Sequence, residues 1–266
     1  MLSKLLKYEF KATGRIFLPL FLALLIFAGI TRLFSAIGPE QWDTPAVISM
    51  IIYVTIMAGM FVMTLIMMIQ RFYKNLLSDE GYLMHTLPVK PWKHIVSKLL
   101  VSMLWMIISL SAALISSLII ALKKGDLSEI IGDFAIFFHR AIEQYGASIY
   151  LLTFEIIISI LISIASGILI VYASIALGHL SNRHKMLASF GAFIVLSTLS
   201  QILLTLIGLI PGTTNFANLH ITPDNFAQMQ SLLQWAIVSG IIFTGLLSSA
   251  YFAITNIILS KRLNLE

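Results

Sequence analysis

An all-α membrane protein built on six transmembrane helices is the fold class this sequence predicts, and three observations predict it. First, 59% of the 266 residues are hydrophobic, only 11% are charged and the mean hydropathy is +0.96, which leaves too little polar surface to cover the chain in water. Second, the sequence contains six apolar runs, 16–37, 46–70, 98–122, 148–177, 187–210 and 233–259. Each reaches the roughly 20 residues that a helix rising about 1.5 Å per residue needs to cross a core of about 30 Å. Third, the runs show no period-2 alternation and far exceed a spanning strand, which excludes a barrel.

The elements follow in chain order. Leu2, Leu5, Leu6 and Phe10 share one helical face while Lys4, Lys7 and Lys11 lie elsewhere. Segment 1–15 is therefore expected to be an N-terminal interfacial amphipathic helix, with a plain membrane anchor as the other reading. The run 16–37 is expected to be an uncleaved span: it follows a long polar segment, is too long for a signal h-region and lacks an obvious small-x-small cleavage site. Span two carries Met57, Met60, Met63, Met67 and Met68 around Gly59. Methionine suits promiscuous surfaces as well as gap filling, and packing is the simpler reading.

After span three, "GDLSEIIGDFAIFFHRAIEQYG" places Asp126 and Glu129 at capping-box spacing and repeats Ile130, Phe134, Phe137 and Phe138 along one face. Segment 123–147 thus reads as an external amphipathic helix resting on the membrane or on the bundle. The segment from Pro211 to Ser231 reads as irregular at its start, with a helical turn after Pro223.

Six spans put both termini on one side, and lysine and arginine choose it. With the termini inside, only Arg32, Lys123, Lys124 and Arg140 of the 17 basic residues fall outside, so the positive-inside rule predicts cytoplasmic termini. The net charge of +5 is then a topology signal; nucleic-acid binding would need a basic face on a soluble domain, and none is present.

Span four contains Glu155, the one acid within these apolar runs, sharing a helical stripe with Ser159, Ser163 and Ser166. Intramembrane acids are costly, which raises two readings. Glu155, Ser159 and Ser163 line a substrate path, the carboxylate meeting a cationic group, or Glu155 hydrogen-bonds within the bundle while the serines permit close helix approach.

The most polar interior stretch is "RFYKNLLSDEGYLMHTLPVKPWKH", residues 71–94, between spans two and three and hence cytoplasmic. Asn75 to Met84 reads as a short amphipathic helix or a pair of turns interrupted at Gly81. Pro88 and Pro91 stop any helix, and Trp92, Lys93 and Lys98 mark the return to the interface. The stretch is either an ordinary solvated loop or a docking surface for a cytoplasmic partner.

Extended to "RFYKNLLSDEGYLMHTLPVKPWKHIVSKLL", the stretch resembles the corresponding loop of ABC-2 type transporter permeases of Gram-positive bacteria. There an arginine-led segment runs through an acid-acid-Gly-aromatic turn to a Leu-Pro motif and a lysine opening the third span. The C-terminal "SKRLNLE" is similar to the same group's ending. The resemblance implies the ABC-2 (type V exporter-like) permease fold, with segment 1–15 along the inner leaflet. It implies that 71–97 is a coupling loop docking a cytoplasmic ABC ATPase through Arg71, Asn75, Asp79, Glu80, Gly81, Tyr82, Leu87 and Pro88. It also implies a second permease chain, as a homo- or heterodimer, in the plasma membrane of a bacterium.

The chain is not expected to be an enzyme. No G-x-x-x-x-G-K-[ST] is present to cradle phosphates, and no soluble stretch is long enough for a nucleotide-binding domain. ATP and Mg would be bound by the partner ATPase, with no cofactor in this chain. No H-E-x-x-H occurs; His179 and His184 sit five apart in a short loop and read as solvated residues rather than metal ligands. The absence of cysteine excludes disulfides and thiolate metal sites. Two function classes follow: the permease subunit of an ATP-driven exporter of a peptide, drug-like amphiphile or lipid, or a non-transporting immunity or sensor protein that sequesters a peptide.

Overall fold

The computed structural model describes residues 2–37, 43–77, 90–122, 126–146, 148–181, 183–208 and 226–261. Among these the chain forms α1 (Leu2–Ile37), α2 (Asp43–Leu76), α3 (Pro91–Ala121), α4 (Asp126–Tyr145), α5 (Ser148–Gly178), α6 (Lys185–Gly208) and α7 (Phe226–Lys261), with no strand among the described residues. Six of them, all but α4, are long and apolar enough to cross a membrane, and each overlaps one of the six expected runs.

The boundary expected between 1–15 and 16–37 is not a break. Both segments belong to α1, a single helix of 36 residues, and Pro19 is accommodated within it, as proline is in spanning helices. Its early turns are also not wholly superficial. Glu9 and Thr13 are buried, in line with Phe17, Phe21, Leu24 and Ala28 further along, at the 3- and 4-residue spacing of one helix face.

α3 begins with Pro91 at its first position, where the missing N–H costs nothing, and Lys93 closes the first turn onto the Lys90 carbonyl at 3.0 Å. The Lys93 ammonium lies 5.6 Å from the centre of the Trp92 ring, a favourable cation–π arrangement. At the far end of α4, Gly146 takes a φ of 56° and donates to the Ile142 carbonyl at 2.8 Å. That left-handed cap is strained for any side chain but open to glycine.

The chain divides into two compact units. The first comprises residues 1–72 and 96–141. Its core joins Phe17, Phe21, Leu24 and Ala28 of α1 to Tyr53, Met60 and Met67 of α2 and to Val101, Trp105 and Ala112 of α3. Met57 and Met63 pack against that core, so the methionines of α2 act here as adaptable fillers. Three hydroxyl pairs among the described residues tie α2 to α3, Tyr53 with Ser116 at 2.9 Å and with Ser117 at 3.3 Å, and Thr64 with Ser109 at 3.1 Å. Such polar contacts hold helices together where hydrophobic driving force is absent.

The second unit comprises residues 73–95 and 142–266. In it α5 packs on both α6 and α7. The buried residues of α5 all lie in its C-terminal half, from Ile168 to Gly178, while Tyr251, Thr255, Ile258 and Leu259 are buried on α7. A Cβ built on Gly178 would collide with the backbone and side chain of Ser189 on α6. The two helices therefore approach each other through a residue that has no side chain.

Candidate functional site

A buried charge cluster forms in the first unit, where α1, α2 and α3 meet. Glu9 lies one turn before Thr13 and two before Phe17, so the helix period turns a carboxylate onto the same face as the core. Lys98 lies two turns into α3 and its side chain is only 2% exposed. Its ammonium reaches Glu9 Oε1 at 2.8 Å. Arg71, near the end of α2, approaches the other oxygen, with Nη1 3.6 Å from Oε2 and the side chain 27% exposed. Two cations thus share one acid. An ammonium so deeply buried needs its counter-charge, and the outer guanidinium closes the remaining side.

A second layer holds Glu9 in place. The Thr13 hydroxyl donates to the Glu9 backbone carbonyl at 2.8 Å and accepts the indole N–H of Trp105 at 2.7 Å. The Trp105 ring stacks on Phe10 at 5.0 Å and on Phe17 at 4.5 Å, so aromatic packing fixes the donor that orients Thr13. A cavity of about 30 Å³ lies among Glu9, Thr13, Arg71, Lys98 and Trp105, with apolar side chains around them. That is room for a water and not for a substrate. No nucleophile is set beside a base here, and no cluster of metal-ligating groups exists among the described residues. The arrangement binds charge and clamps helices.

Of the residues expected to dock a partner, Arg71 alone has a described side chain, and it belongs to this cluster. Asn75 lies on α2, its side chain outside the described residues, as are Asp79, Glu80, Gly81, Tyr82, Leu87 and Pro88. Lys98 was expected as an interface marker; instead it is a buried ion-pair partner. Glu9, Thr13 and Trp105 were not singled out from the sequence. A signal for Glu9 was present: it is an acid on the apolar-facing stripe of a helix whose other charges in this stretch are basic.

The intramembrane stripe divides. Glu155 and Ser159 are half-buried on α5, as is Ser166, whereas Ser163 is exposed. Successive steps of about 100° place residues 155, 159 and 166 within a narrow arc and leave 163 at its margin. The Glu155 Oε2 oxygen is shielded from solvent and accepts no hydrogen bond.

His179, at the end of α5, meets Tyr73 edge-on with ring centres 6.2 Å apart. Burial, and secondarily the neighbouring Lys185 charge, hold its pKa below the usual imidazole value against a raising contribution from the Leu77 backbone. His184 is exposed.

Comparison with protein-family models, with curated proteins and with solved structures finds no match. The class that the fold defines is a multi-pass helical membrane protein, with six helices long and apolar enough to span.

Proposed function

We propose that the chain is the transmembrane permease subunit of an ATP-binding cassette transporter, an exporter driven by a separate ATPase that docks on loop 71–97. The observation that carries this reading is the shared carboxylate of Glu9. Arg71 stands at one end of the loop and Lys98 just beyond the other, and both pair with α1. A force applied to the loop would reach α1 and α3 together through the buried Glu9–Lys98 pair, which cannot be separated cheaply, with Arg71 of α2 steering from the exposed edge. The resemblance of 71–100 to the ABC-2 coupling region supports the same reading. ATP and Mg belong to the partner ATPase, the termini face the cytoplasm of a bacterial cell, and a second permease chain completes the pathway.

Affinity capture of this chain from its native cells, or co-expressed with a candidate ABC ATPase, tests the proposal. The ATPase should co-purify and its hydrolysis should change on binding, while charge reversal at Asp79 and Glu80 should release it. Intact association and stimulation after that reversal would show that the loop is not the docking surface. Failure of any ATPase to co-purify with the wild-type chain would count against the permease assignment itself.

A further inference from the structure

The six candidate spans, Thr44–Lys74 in the case of α2, contain two acids, Glu9 and Glu155, and their surroundings are opposite. Glu9 has an ammonium at 2.8 Å and a guanidinium at 3.6 Å. Glu155 forms no ion pair among the described residues, and one of its oxygens is shielded without a hydrogen bond. Among its described residues the second unit offers no nearby remedy. α5 carries no basic residue, the span Leu233–Ser260 of α7 carries none, and Lys185 follows the far end of α5, about 35 Å along the helix from Glu155. A carboxylate with one shielded oxygen and no ion pair among the described residues is placed to take a cation from outside the chain.

The neighbourhood favours a particular cation. One turn before Glu155 on its own side of α5, Leu151 exposes a large apolar side chain, with exposed Phe154 at the flank, and the half-buried Ser159 one turn on adds a hydroxyl. The N-terminal half of α5, unlike its C-terminal half, contains no buried residue, so the second unit leaves this surface uncovered. We propose that Glu155 is the recognition carboxylate for the positive group of a small amphiphilic cation, whose hydrocarbon body lies on the apolar surface of α5. Binding itself stands on the α5 geometry alone; that the bound cation is the transported substrate rests on the permease reading.

The test uses the full chain in nanodiscs without any ATPase, so a failure here is distinct from a failure of ATPase docking. A hydrophobic carbodiimide labels desolvated carboxyl groups, and peptide mass spectrometry locates the label. Glu155 should be labelled, tetraphenylphosphonium should protect it, and tetraphenylborate, of the same shape and opposite charge, should not. Tetraphenylphosphonium should bind Glu155→Gln at least about tenfold more weakly, and Glu155→Asp, which keeps the charge but withdraws it, should fall between. Ser163→Ala, at the margin of the stripe, should bind as wild type. An unchanged melting temperature for Glu155→Gln guards against a folding defect. Equal protection by both ions, no protection, no labelling of Glu155, or equal affinity of the wild-type and Gln proteins would each overturn the proposal.

Discussion

Removing Lys98 or Glu9 singly should be far more damaging than removing both. Lys98→Met leaves the Glu9 carboxylate, 10% exposed, with only the guanidinium at 3.6 Å. Glu9→Gln leaves an ammonium whose side chain is 2% exposed without its counter-ion at 2.8 Å. Stranding one member of a buried pair costs about 3–5 kcal/mol. Arg71 can close on Glu9 when Lys98 is gone, so Lys98→Met should fall near about 3 kcal/mol and Glu9→Gln higher in that range. The double variant Glu9→Gln/Lys98→Met removes both buried charges and should return to within about 1 kcal/mol of wild type, which makes the coupling between the sites about 5 kcal/mol or more. Arg71→Gln, at the exposed edge, should cost less than about 1 kcal/mol. Reversible unfolding in mixed micelles of rising sodium dodecyl sulfate fraction, followed by tryptophan fluorescence, reads these differences. If both single variants lie within about 1 kcal/mol of wild type, or if the double variant equals the sum of the singles, the cluster is not the buried clamp described above.

Gly178→Ala should loosen α5 from α6, because the added methyl meets Ser189 backbone that cannot swing aside. A loss of about 1–3 kcal/mol in the same unfolding assay is expected, and an unchanged stability would mean that the helices part without cost. His179 should make stability fall with acid. Its folded pKa lies below the unfolded value of 6.5, so its neutral form supports the fold above that value, and the support is lost as pH drops from there through the folded pKa. Melting temperatures taken from about pH 7.5 down to about pH 5.5 should decline in wild type and less in His179→Gln; parallel curves would assign the titration to another group.

The sequence by itself determined what bulk solvation dictates. Apolar runs of spanning length must be helical in lipid, because each backbone polar group has to be satisfied within its own segment, and all six appear as helices at the expected places. The amphipathic helix expected in 123–147 was legible for the same reason, since a face repeating Ile130, Phe134 and Phe137 records helical periodicity directly, and Asp126–Tyr145 form α4. Local signals of this kind need no partner. The division at residue 15 follows polarity along the chain, which changes there while the backbone of α1 does not: lysines on one face of a helix do not interrupt it.

Only the tertiary structure decided which charges meet. Glu9, Arg71 and Lys98 are separated by tens of residues, and each alone looks like part of a polar flank. Their pairing depends on the register of three helices packed through Phe17, Met60, Met67 and Trp105, and register is a property of side-chain interdigitation between helices, absent from the periodicity of any one. Glu155 illustrates the converse. Its presence in an apolar run was plain from the sequence, but that it pairs with no cation among the described residues became visible only when α5, α6 and α7 were folded together. A counter-charge acts through distance in space, and chain separation does not encode it.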